Sequence, residues 1–99
     1  MVSENYLYKV RFAVRTVSTD SNVLQELTDI IEECRAHMVT VAGVKKDVAE
    51  DETNPLVLGC VRSFARAKFS DDRDEKAANM ADYRLQVDEL RKAVTDEDT

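Results

Sequence analysis

The chain has few means of turning a corner: its 99 residues include two glycines and one proline. A small sheet protein needs tight turns at short intervals, and those turns draw on glycine, proline and their substitutes. The scarcity argues against a many-stranded fold and predicts few, long elements. Positive charge is also short, with 14 lysines and arginines against 20 acids and a net charge of -6. That argues against a free-standing nucleic-acid binder, whose surface must neutralise phosphates. It does not exclude DNA passing nearby without being gripped. No apolar run approaches the roughly 18 residues of a membrane span, so no membrane contact is expected. The opening MVSENYLYKV lacks a basic stretch followed by an apolar one, so no secretory signal is expected. Only Cys34 and Cys60 carry thiols, both within apolar helical patterns, and they read as reduced and buried.

What the chain has is helix formers: Ala, Leu, Glu, Asp, Lys and Arg, with 43% apolar residues overall. The length suits one small domain with one core. The expected fold is all-α, a single domain (1–99) of four helices at about 5–17, 22–41, 55–69 and 73–94, with the second and fourth longest. In the first, Leu7, Val10, Val14 and Val17 form one stripe. The second has Asp20 or Asn22 as N-cap and an apolar face of Val23, Leu24, Leu27, Ile30, Ile31, Cys34, Met38 and Val41, ending at Gly43. A polar, aperiodic loop is expected over 44–54. Asn54 and Pro55 then open the third helix, NPLVLGCVRSFARAKF, in which Leu56, Val57, Cys60, Val61, Phe64 and Phe69 supply core and Gly59 allows close approach of another helix. Asp72 with Glu75 resembles a capping box for the fourth, whose seam is Met80, Tyr83, Val87, Leu90 and Val94. An acidic tail, 95–99, is expected to fray.

Reactive chemistry finds little support. His37, the single histidine, has only Cys34 as a nearby ligand on its own face, short of a metal set. A reactive thiolate needs a nearby cation or a helix N-terminus. Cys34 lies deep in an acidic helix, and Cys60, near the start of the third helix, sits between Leu58 and Val61, so both read as core packing. Asp47, Glu50, Asp51 and Glu52 lack the calcium-loop pattern. No glycine-rich phosphate loop or serine elbow occurs. No catalytic residue, cofactor or metal is expected. Arg62, Arg66 and Lys68 make the third helix basic on one side, a side expected to pair with the acids of helices two and four.

Four features taken in order resemble a known family. They are KVRFAVR at Lys9 to Arg15, polar residues leading into a long helix ending near AGV, an acidic loop running into NPLV at Asn54 to Val57, and ARAKF followed by acids and Y-x-x-x-V-x-x-L at Tyr83 to Leu90. Together, over about residues 5–93, they resemble the head–tail connector proteins of long-tailed double-stranded DNA phages and prophages, often labelled DNA-packaging proteins. The cysteine at 60 beside Gly59 and the acidic tail depart from the family pattern. The resemblance implies a structural role without catalysis. Copies would form a ring, dodecameric beneath the portal protein, extending the DNA channel and docking the next neck or tail protein. Partners would be other copies, the portal, the next neck or tail protein and passing DNA. The location would be the virion neck, and host cytoplasm during assembly. Expected subunit-interface residues are Arg11, Arg15, Glu26, Glu33, Arg62 and Arg66, with Arg11 and Arg15 set against Glu26 and Glu33. Expected partner contacts are Lys45, Lys46, Asp47, Glu50, Asp51, Arg91 and Lys92. The competing reading from composition is a small helical interaction module, regulator or antitoxin-like.

Overall fold

The starts of three helices are set by side chains that accept backbone N–H groups. The computed structural model describes residues 2–14 and 21–98, with side chains of the last helix described as far as 93. Ser3 caps α1 (Glu4–Ala13), its hydroxyl accepting from the Tyr6 amide at 3.2 Å. Helix α2 spans Ser21–Thr40, so Asn22 lies inside it, while Asp20 and Val17 fall outside the described residues. At its end Gly43 takes the left-handed conformation, φ 77°, and the Val44 amide closes onto the Met38 carbonyl at 2.9 Å. Asn54 caps α4 (Pro55–Phe69) by accepting from the Leu56 amide at 2.9 Å, with Pro55 in the first turn. Asp72 caps α5 (Arg73–Asp98), accepting from the Asp74 and Glu75 amides at 2.8 and 3.2 Å. The expected capping box does not close, because the Glu75 carboxylate accepts from Ser70 Oγ at 3.0 Å and that hydroxyl also accepts from the Asp72 amide.

All described elements are helical, but there are five helices rather than four. The extra one is the single turn α3 (Lys46–Ala49), inside the segment expected to be loop. Four residues carry too little periodicity to register as a pattern, and the turn is held by tertiary contact: Ala49 is fully buried. The last helix also runs past its expected end near 94. Helix α5 continues to Asp98, since neither glycine nor proline follows Leu90 to stop it.

One core joins all the helices. Tyr6 and Val10 enter it from α1, Leu27, Ile31, Cys34 and Met38 from α2, and Ala49 from α3. Val57, Cys60, Val61 and Phe64 come from α4, and Tyr83, Val87 and Leu90 from α5. Each fully buried aliphatic side chain contributes roughly 1.5–3 kcal/mol. Helices α4 and α5 form an antiparallel hairpin in which Phe64 meets Tyr83 edge-on at 5.1 Å and Ser63 donates to Gln86 at 2.9 Å. The α5 seam therefore packs within the chain. Three core assignments change. Leu56 is 46% and Val41 71% exposed, because one faces outward in the first turn of α4 and the other follows the end of α2. Tyr6, one residue before the expected Leu7, is the side chain fully enclosed. Gly59 makes no close helix approach: a Cβ there would meet only the Gln86 side chain, at 3.9 Å.

Candidate interaction surfaces

The reactive groups of this chain are buried within its core. Cys34 and Cys60 are fully enclosed. Burial pushes the Cys60 thiol up to about 11, and burial followed by the neighbouring Cys60 pushes Cys34 higher still. Tyr83, raised mainly by burial, has its hydroxyl 2.8 Å from His37 Nδ1 and hydrogen-bonded to Cys34. A thiol whose ionisation is suppressed in this way does not act as a nucleophile at neutral pH. His37 is half-buried, its ring 5.3 Å from Tyr83 and 6.2 Å from Phe64. Among the described residues no group of three or more His, Cys, Asp or Glu could hold a metal ion, and no helix is long and apolar enough to cross a membrane.

A polar hub ties three segments together, and the residue patterns did not reveal it. Arg35, buried on α2, donates from Nη2 to Glu52 Oε2 at 3.0 Å, and its guanidinium lies 5.3 Å from the Tyr6 ring centroid. Glu52 also accepts from the Ser3 amide at 2.9 Å and from the Ser3 hydroxyl. Partial burial pushes the Glu52 carboxyl up, but the Ser3 and Arg35 hydrogen bonds outweigh it and hold the group below its ordinary value. Burial raises Tyr6 to about 12, and its hydroxyl has no hydrogen-bond partner. The turn is anchored at both ends: Val44 is buried with its amide on the Met38 carbonyl, and on the far side Ala49 is buried in the core and Glu52 is held by Arg35.

The anchored turn presents charge. Lys45, Lys46, Asp47, Glu50 and Asp51 are all exposed. Asp51 accepts from the Thr53 hydroxyl and amide at 2.6 and 3.0 Å, and these bonds hold its carboxyl below the usual range. Beside the turn a groove of about 330 Å³ opens between α2 and α3, lined by Glu32, Arg35, Ala36, Val39, Lys46 and Glu50 among others.

Of the expected interface residues, those described lie on α1, α2 and α4. Glu26 is exposed on α2, while Glu33 is already engaged by Lys68 at 3.2 Å. Arg66 Nε donates to the Ala13 carbonyl at 3.2 Å, so the basic side of α4 pairs with α2 through Lys68 and with α1 through Arg66. Arg62 is half-buried and makes no ion pair among the described residues. Arg91 pairs with Asp88 at 3.4 Å, and Lys92 is exposed. Arg15 lies outside the described residues. Arg11 lies over two rings, 4.7 Å from Tyr8 and 5.7 Å from Phe12. The exposure of Phe12, at 74%, was not foreseen.

No protein-family model, no curated protein and no solved structure matches the chain.

Proposed function

We propose that this chain is a head–tail connector subunit of a long-tailed double-stranded DNA phage or prophage. It is a structural protein of the virion neck, assembled in the host cytoplasm, and it works through protein contacts without a reaction or cofactor. Copies form a ring, dodecameric on the portal, that extends the DNA channel and docks the next neck or tail protein. The ordered features from KVRFAVR to Y-x-x-x-V-x-x-L support this reading. The observation that carries it is the charged turn from Lys45 to Asp51, held outward on a short helix by buried Ala49 and by the Arg35–Glu52 pair. A rigidly presented surface loses less entropy on docking than a free loop, so it favours a specific assembly contact. The acidic chain also suits a channel wall along which DNA slides, because it repels phosphate.

Light scattering of the purified protein, alone and mixed with the portal protein of the same genome, tests the proposal. A complex with portal is expected whether or not the free protein is monomeric. A chain that never binds portal, and is absent from purified virions, would instead fit a helical regulatory module.

A further inference from the structure

Tyr8 and Phe12 are exposed on α1, with the half-buried Arg11 beside them. Phe12 is the most exposed of the large apolar side chains, at 74%. The Arg11 guanidinium is fixed over the Tyr8 and Phe12 rings, and its buried Nε and Nη1 have no hydrogen-bond partner. Two of its three nitrogens are shielded from water without an acceptor, a cost that the two ring contacts offset only in part. Tyrosine, phenylalanine and arginine are also side chains enriched at protein interfaces, and energetic hot spots favour tyrosine and arginine among them.

The α2–α3 groove is complementary. Ala36 and Val39 give it an apolar floor, and on its lining the exposed carboxylates Glu32 and Glu50 outnumber the one exposed cation, Lys46. Its buried cation, Arg35, is already neutralised by Glu52. The two surfaces are distinct. Helix α1 is tied at Ser3 to Glu52, near the groove, and at Ala13 to Arg66, some 15 Å further along at about 1.5 Å per residue. Different patches on one molecule make a head-to-tail contact, the kind that closes into a ring when the rotation permits.

We propose that the Tyr8–Arg11–Phe12 side of one copy docks into the α2–α3 groove of the next, with Phe12 on Ala36 and Val39 and Arg11 toward Glu32 and Glu50. This rests on the connector reading only in requiring that copies associate.

Sedimentation equilibrium at low salt, over a wide concentration range, is the test. The wild-type chain should self-associate. Phe12→Ala, at an exposed position and checked for folding by circular dichroism, should weaken association roughly tenfold or more. Arg11→Glu should do the same, as should Glu32→Arg with Glu50→Arg. Combining Arg11→Glu with both reversals on one chain should restore association. A wild-type chain that stays monomeric at millimolar concentration overturns this interface, while leaving the connector reading to the portal-binding test. Association unchanged by Phe12→Ala also overturns it, and would itself support self-assembly through another face.

Discussion

Arg35 carries the most consequential charge in the chain, because its side chain is 7% exposed and its hydrogen-bond partner is one carboxylate, Glu52. Removing the partner leaves a buried cation uncompensated, so Glu52→Ala should destabilise the fold by about 2–4 kcal/mol. Arg35→Met should cost less, because Glu52 is 24% exposed and retains Ser3 and water. Urea denaturation of both variants checks the asymmetry, and equal losses would contradict it. The same carboxyl sets a pH dependence. Its folded value lies below the unfolded one, so its contribution is complete above about pH 4.3 and is lost as the pH falls through the folded value. At the alkaline side the thiols act in the opposite sense. Cys34 and Cys60 are raised by burial, so their contribution is complete below about pH 8.5 and declines above it, as the unfolded chain releases protons that the folded chain keeps. Stability measured under reducing conditions should fall between pH 8 and 10, and Cys60→Ala should flatten that fall.

At the scale of elements, the sequence was most legible where a cap and a long period coincide. Asn54–Pro55 marked the start of α4, and the spacing of Tyr83, Val87 and Leu90 marked the buried side of α5. It was least legible where tertiary contact decides. Helix α3 exists because Ala49 is buried and the segment is clamped by Arg35 through Glu52, a partner 17 residues away with no periodic signature. Ser3 was missed as a cap because its second role, binding Glu52 49 residues on, is invisible in a local window. The candidate surfaces were legible in part. Glu33, expected at the subunit interface, pairs within the chain with Lys68, in line with the expectation that the basic side of α4 meets the acids of α2. Gly59 gives an element-level test. It sits in the helix where a Cβ would make only an ordinary contact, 3.9 Å, with the Gln86 side chain, so no tight packing explains it. Gly59→Ala should raise stability by roughly 0.5–1 kcal/mol through helix propensity alone. A loss in thermal or urea melts would mean that the α4–α5 contact is tighter than this spacing allows.

For the whole molecule, the distribution of chemistry is the guide. The thiols and the histidine–tyrosine contact serve the core, while exposed charge is spread over all the helices and the exposed aromatic side chains, Tyr8 and Phe12, lie on α1. That division suits a chain whose work is done by its surfaces. It also explains how a small helical core could gain from assembly, since each exposed apolar side chain covered by a neighbour adds to burial at about 25 cal/mol per Å². The central claim, a connector ring on a portal, is tested most directly by electron microscopy of the purified protein mixed with the portal from the same genome. An added ring of density coaxial with the portal channel is predicted. Portal particles unchanged by a large excess of the protein would contradict it.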